Sequence, residues 1–247
     1  MNLPMADHSS LLALEGVLEG ASRIGKDFGS KRTELVVDEK SAGQFASNAD
    51  FEIEKFIRDQ LIGKFPGDSI VGEELGGDLG SEVTGWAIDP IDGTSNFVLG
   101  LPIWGISVGY LENGKSMVGC IALPDLQLVV SGLRAHGVRV NGKPLRARKM
   151  QSEVRILAVG ENDYETVPQT DARAQAFREV GYSVVRYRSA VFALAMSALG
   201  RLSGYVESGC CIWDIAAAEV ICREAGMRVD ASVIAEGRHA IDARWNR

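Results

Sequence analysis

The stretch that most constrains this chain is Gly85-Trp86-Ala87-Ile88-Asp89-Pro90-Ile91-Asp92-Gly93-Thr94-Ser95-Asn96-Phe97. Trp86 to Ile88 reads as a short apolar strand. Pro90 has no N–H to donate, which predicts that the strand does not continue as a central one. Asp89 and Asp92 then leave the strand end three residues apart. Gly93 lets the backbone come close to a ligand, and Thr94-Ser95 can open a helix whose first N–H groups face the same spot. Carboxylates repel a phosphate, whereas a helix N-terminus attracts it. A divalent cation between them removes the conflict, and magnesium suits an all-oxygen site that touches phosphate. Taken alone, Asp-Pro and Asp-Gly also make an ordinary turn.

With 247 residues, the chain suits one large domain or two tightly joined halves. A hydrophobic share of 46% with only 7 Pro argues for a globular protein. The net charge of −7 speaks against a nucleic-acid partner held by basic patches, and it would repel an anionic substrate unless bound metal inverts the local field. No basic–apolar leader opens the sequence, and no run approaches the ~20 apolar residues of a membrane span. The expectation is a cytoplasmic protein. Cys120, Cys210, Cys211 and Cys222 show no metal-binding spacing and read as reduced, mostly buried thiols. Cys222 to Arg228 matches a cysteine-phosphatase spacing, but Cys222 falls inside a helical pattern rather than between a strand and a helix start.

Helical spacing of Leu11, Leu14, Leu18, Ala21 and Ile24 predicts a helix over 8–28, and Ile53, Phe56, Ile57 and Leu61 predict a second from Asp50 to before Pro66. At a helix start, Asp50 and Asp214 would ordinarily be N-caps. Ser69-Ile70-Val71 is a short strand leading into Gly72-Glu73-Glu74. Residues 103–110 and 117–123 flank Glu112-Asn113-Gly114-Lys115 as a hairpin, with a further strand from Gln127 to Ser131 and a turn at Asn141-Gly142. From about residue 150, strands and helices alternate. Strands are expected at 155–159, 182–186 and 204–206, helices at 171–180, 190–199 and 213–225, and short strands at the end. The halves divide as 1–135, with most acidic residues, and 136–247, with Asp214.

Asp50, Glu73, Asp89, Asp92 and Asp214 each stand at a strand end or helix start. Five carboxylates brought together would raise one another's pKa steeply without cations, so a convergent set implies two or more magnesium ions. Gly72-Glu73-Glu74, Trp86-x-Ile88-Asp89-Pro90-Ile91-Asp92-Gly93-Thr94-Ser95-Asn96-Phe97 and Trp213-Asp214-x-Ala216-Ala217-Ala218 through Glu224-Ala225-Gly226 resemble the magnesium-dependent, lithium-sensitive phosphomonoesterases typified by inositol monophosphatase. The resemblance covers about residues 10–240. It implies a mixed α+β and α/β fold, the layered αβαβα sandwich of the sugar phosphatases, usually as a homodimer.

Carried over by residue, the resemblance implies that Glu73, Asp89 and the Ile91 carbonyl hold a first magnesium and that Asp89, Asp92 and Asp214 hold a second. Glu73 would reach a third ion through water, with Asp50 near it. Glu73 and Thr94 would orient and deprotonate the attacking water. The Gly93, Thr94 and Ser95 amides would cradle phosphate, and Asp92, Ala190 and Glu207 would touch substrate. The substrate expected is a small phosphorylated polyol, foremost inositol-1-phosphate. Histidinol phosphate, an amino alcohol ester, and fructose-1,6-bisphosphate are alternatives on the same scaffold, and an inactive metal-binding protein is a further one. An aspartate-nucleophile phosphatase would need Asp-x-Asp, and Asp89 and Asp92 have two residues between them. Departures from the family pattern include Ser47-Asn48-Ala49 before Asp50, a loosely spaced Lys40, Arg188 where glycine is common, and no Asp-Gly loop after Gly226.

Overall fold

The computed structural model of the chain describes residues 7–41, 44–145 and 153–246. In chain order the elements are α1 (His8–Ser30), β1 (Val37–Ser41), β2 (Gln44–Ser47), α2 (Asn48–Lys64), β3 (Ile70–Gly72), β4 (Gly76–Gly77), β5 (Gly85–Asp92) and the one-turn α3 (Thr94–Val98). There follow β6 (Gly105–Glu112), β7 (Lys115–Leu123), β8 (Leu128–Leu133), β9 (Gly137–Val140), β10 (Lys143–Pro144), β11 (Ile156–Val159) and α4 (Val167–Glu179). The chain closes with β12 (Ser183–Val185), α5 (Ala190–Ala198), β13 (Gly204–Cys210), α6 (Ile212–Glu224), β14 (Arg228–Ala235) and β15 (Arg238–Arg244).

Among the described residues, eight strands form one sheet in the order β10-β9-β8-β7-β6-β5-β3-β4, and five form another in the order β12-β11-β13-β15-β14. Side-chain alternation along the strands assigns the layers. Trp86 and Ile88 of β5, with Ile106, Val108 and Tyr110 of β6, share a core with Leu11, Leu14 and Leu18 of α1 and Ile53 and Ile57 of α2. The opposite face of the same sheet, at Ala87 and Leu111, meets Ala216 of α6. Helices α5 and α6 fill the space between the sheets with Leu194, Ala195, Ile215 and Ile221. On the outer face of the second sheet, Leu157, Val159 and Val206 pack against Phe177 of α4. This is the layered αβαβα sandwich. Strands β9 and β10, beyond residue 135, still belong to the first sheet. The change of texture near residue 150 falls on 146–152, outside the described residues.

One expectation is overturned at Pro90. Strand β5 runs through it to Asp92, inside the large sheet. The ladder accommodates the missing donor in two ways. Parallel pairing with β3 ends at Ile88. On the other side, Asp89 faces Ser107 and Asp92 faces Gly105, so β5 carries one extra residue as a bulge around Pro90.

Helix starts also differ. Ser47, not Asp50, is the N-cap of α2, and Cys211, not Asp214, is that of α6. Each aspartate sits at the third helical position and closes a capping box. Helix α4 begins at Val167 rather than 171 because Thr166 and Gln169 form such a box. Cys222 lies within α6, buried, as expected.

Candidate active site

The sheet interior delivers the acidic residues to one place. On β5, Asp89 shares the inward face with Ala87, so it points between the sheets toward α6. Gly109 and Gly119 let α6 lie directly on β6 and β7: a Cβ at Gly109 would stand 2.5 Å from Ala217 N, and one at Gly119 2.7 Å from Ala217 Cα. Ser107 Oγ donates to the Trp213 carbonyl at 3.3 Å, which fixes the first turn of α6 over β6. Asp214 therefore faces the same space as Asp89. Glu73 follows β3 and is tied to β5 by its N–H on the Ile88 carbonyl at 3.2 Å.

The result is one pocket lined by Glu73, Asp89, Ile91, Asp92, Gly93, Thr94, Ser95, Ala190, Glu207 and Asp214. Every expected site residue but Asp50 is in its wall. Asp50 stands behind Thr94, fully buried. Its Oδ2 accepts from Ser47 N at 2.8 Å and Ser47 Oγ at 2.6 Å, and its Oδ1 from Thr94 Oγ1 at 3.1 Å.

Glu73 and Thr94, expected to act together on the attacking water, each have other hydrogen-bond partners here. The Thr94 hydroxyl lies between Asp50 Oδ1 and the Ile91 carbonyl, 2.9 Å away. The one-turn α3 packs against the β2–α2 junction, which brings Thr94 to Asp50. The Glu73 carboxylate instead accepts from Lys40 Nζ at 3.1 Å, and Lys40 also bonds Glu74.

Gly93 adopts the left-handed conformation, φ 86°, as the N-cap of α3. A Cβ there would come within 2.9 Å of the Ile103 carbonyl, so both the turn and the close approach require glycine.

Electrostatics follow from burial. Desolvation, then the charges of Glu73, Asp92 and Asp214, push Asp89 well above the usual carboxylate range. Asp214 is raised well above it by burial and by Asp92, Glu207 and Glu73. Burial lifts Asp92 to about 7 against the pull of its hydrogen bonds from Ser189 and Val191 N, the latter 2.7 Å. Burial likewise brings Asp50 to about 6 and Glu74 to about 7.

Among the described residues, no three histidine, cysteine, aspartate or glutamate side chains are drawn together as a ready-made metal shell. The reason is visible in the partners: Asp92 is turned to Ser189 and Val191, Asp214 Oδ2 to Cys211 N at 2.6 Å, and Glu73 to Lys40. Two observations nevertheless fit a cation. Asp89 Oδ1 is buried with no hydrogen-bond donor, an uncompensated acceptor of the kind that an ion satisfies. The Lys40 ammonium already places a positive charge on Glu73 and Glu74.

The opposite wall holds Glu207, whose Oε1 accepts from Asn162 Nδ2 at 2.8 Å and whose Oε2 accepts from Tyr205. Asn162, Tyr205 and Ser189 were not singled out by their spacing as site residues. Their sequence signals are a loop, a strand and a helix cap, and only the folded chain brings them to carboxylates.

This geometry, with acidic residues from four segments around a Gly93–Ser95 turn, can be set beside known proteins. The model of the inositol monophosphatase family matches residues 12–237. The chain belongs to that family. Family members are phosphatases. A fructose-1,6-bisphosphatase/inositol-1-monophosphatase of Aquifex aeolicus is 31% identical, covering 85% of this chain and 80% of that protein. An inositol-1-monophosphatase of Mycobacterium bovis is 34% identical over 85% of this chain and 74% of its own. The solved structure of an IMPase from Thermotoga maritima superposes with a TM-score of 0.81 at 26% identity, covering 95% and 92% of the two chains.

Proposed function

We propose that the chain is a magnesium-dependent phosphomonoesterase acting on a small phosphorylated polyol, with inositol-1-phosphate the foremost candidate. The observation that carries this reading is the convergence of Glu73, Asp89, Asp92 and Asp214 on one pocket, with Asp89 Oδ1 lacking any donor. Glu73, Asp89 and the Ile91 carbonyl would hold one ion, and Asp89, Asp92 and Asp214 a second. Bound magnesium supplies charge neutralisation for the phosphoryl oxygens and lowers the pKa of a water molecule near it.

The chain's own residues do the rest. The N–H groups at the start of α3 have no intrahelical acceptor and would donate to the phosphoryl oxygens. Thr94 orients the attacking water: its Oγ takes a hydrogen from that water and passes its own to Asp50 Oδ1. The new P–O bond would form as the ester P–O bond breaks, the polyol oxygen leaving as an alkoxide that takes a proton from solvent water, while the proton received by Asp50 is later released to solvent. Glu207, held by Asn162 and Tyr205, presents fixed acceptor lone pairs to substrate hydroxyls, and the Ala190 turn borders the same space.

The names of the relatives support the reading and leave the substrate to experiment. Phosphate release from inositol-1-phosphate, histidinol phosphate and fructose-1,6-bisphosphate, each with and without magnesium, tests it. Fastest magnesium-dependent release from inositol-1-phosphate is expected. Preference for fructose-1,6-bisphosphate would shift the substrate toward the Aquifex relative's other named activity, and no release from any ester would defeat the proposal. The same reading carries a cytoplasmic homodimer and inhibition by lithium, to be checked by sedimentation and a lithium titration.

A further inference from the structure

Glu54 lies on α2, four residues before Arg58, with which it pairs. In the structure its side chain is fully buried. The carboxylate accepts three hydrogen bonds, from Arg58 Nε at 2.8 Å, Glu74 N at 2.7 Å and Leu75 N at 3.2 Å. It also lies flat against Gly72, where an added Cβ would stand 2.5 Å from Glu54 Cδ. Arg58 completes the strap by donating to the Gly76 carbonyl. Glu73 is thus fixed on both sides, with its own N–H on Ile88 next to Asp89 and the following N–H on Glu54.

We propose that Glu54 is a positioning residue: it fixes the Gly72-Glu73-Glu74 turn so that the Glu73 carboxylate reaches the cation that Asp89 also faces. The inference rests on the cation role proposed for Glu73. The chemistry of the position supports it. All three groups on Glu54 are donors, so the side chain must be a carboxylate. Glutamine would set an NH2 against at least one N–H. Pairing with Arg58 lets α2 lend this acceptor without adding net charge to a pocket already crowded with carboxylates. Glycine at 72 is required by the same contact, since any side chain there displaces the carboxylate.

The test compares the full-length wild type with Glu54→Gln, Gly72→Ala, Glu54→Ala, the Glu54→Ala/Gly72→Ala double variant and Glu73→Gln. Binding of Mn2+ as the probe ion is read without substrate from the EPR signal of the free ion, and folding is followed by circular dichroism. Groups that orient a metal ligand typically change affinity by about 10–100-fold. Glu54→Gln and Gly72→Ala are each expected to weaken Mn2+ binding by about that factor and to raise the Mg2+ concentration for half-maximal phosphate release in parallel. Once Glu54 is alanine, Gly72→Ala is expected to cost nothing further, because the colliding group is gone. Mn2+ affinity within about threefold of wild type in folded Glu54→Gln or Gly72→Ala overturns the inference, as does full additivity in the double variant. If Glu73→Gln itself binds like wild type, the cation reading of the pocket fails, whatever Glu54 does.

Discussion

The two walls of the pocket are built on different terms. The wall with Asp89, Asp92 and Asp214 is set by backbone. Strand β5 is central in its sheet, α6 lies on glycines of β6 and β7, and the aspartates take N–H groups of Val191 and Cys211. The facing wall is set by side chains: Asn162 on Glu207 and the Ser208 carbonyl at 2.9 Å, Tyr205 on Glu207, and Arg238 on Asp163 at 3.1 Å and on the Gly209 carbonyl at 2.8 Å. Backbone bonds fix where charge goes for any sequence that keeps the strand and helix. Side-chain bonds can be exchanged one at a time. On the proposed function, phosphoryl chemistry would belong to the first wall, and choice of substrate to the second.

The largest effect should come from neutralising the first wall. Asp89→Asn is expected to lower kcat for phosphate release by at least about 10³-fold, the scale of losing a main electrostatic stabiliser of the transition state. In EDTA, the same variant is expected to melt higher than wild type, because a buried carboxylate repelled by Glu73, Asp92 and Asp214 is removed. A variant that is inactive but melts lower would mean that Asp89 is a structural group. Next comes Gly119→Ala. Its Cβ would meet Ala217 backbone rather than a flexible side chain, so the helix must move. Overpacking of this kind costs about 1–3 kcal/mol. Urea unfolding should show it, with a loss of activity that the facing wall does not share: the corresponding small change there, Glu207→Gln, is expected to alter KM for polyol esters by about tenfold and stability little.

A third expectation concerns the pH dependence of stability. Carboxylates whose folded pKa lies above the unfolded value stabilise the fold when protonated, and that contribution is lost as pH rises through the folded pKa. For Asp50 the values run from 3.8 to about 6, for Asp92 from 3.8 to about 7 and for Glu74 from 4.5 to about 7. Metal-free protein should therefore lose thermal stability between about pH 4 and pH 7, and saturating magnesium should flatten the slope. A melting temperature in EDTA that rises steadily over this window would contradict the burial of uncompensated acid.

The Asp89 and Asp92 part of the first wall was legible in the chain, because the two lie in one short stretch of restrictive residue types: Asp-Pro-Ile-Asp-Gly-Thr admits few conformations. The place of Asp214 came with the resemblance. That helices pack on sheets followed from the order of expected strands and helices, and the αβαβα layering from the resemblance. What was not legible depends on contacts between distant segments. Asp50 appeared as a helix cap and proved to be the partner of Thr94 because α3 packs on the β2–α2 junction. Glu54 carries no signal of its own in the sequence, because helical spacing does not report which face of α2 meets the β3–β4 turn. Pro90 was expected to end β5, and the bulge that accommodates it depends on how far β3 extends, which no local pattern records. On the second wall, Glu207 was reached only through resemblance, and its partners Asn162 and Tyr205 have spacings common to any loop and strand.

The smallest effect should come from Arg188, at the seam between the walls. It takes φ 53°, a left-handed conformation for a residue with a side chain, and lines the pocket. Its neighbours hold it there. Asn96 Nδ2 donates to the Tyr187 carbonyl at 2.8 Å, and Ser189 caps α5 while bonding Asp92. A side chain in this region costs about 1–2 kcal/mol, whereas glycine tolerates it at the expense of a more flexible unfolded chain. Both Arg188→Gly and Arg188→Ala lose the guanidinium, so their comparison isolates the backbone. The glycine variant is expected to be the more stable of the two by about 1 kcal/mol or less, the reverse of the usual order. An alanine variant that unfolds at higher urea than the glycine variant would show that the turn relaxes when Arg188 is removed. The seam would then belong to the adaptable wall rather than to the fixed one.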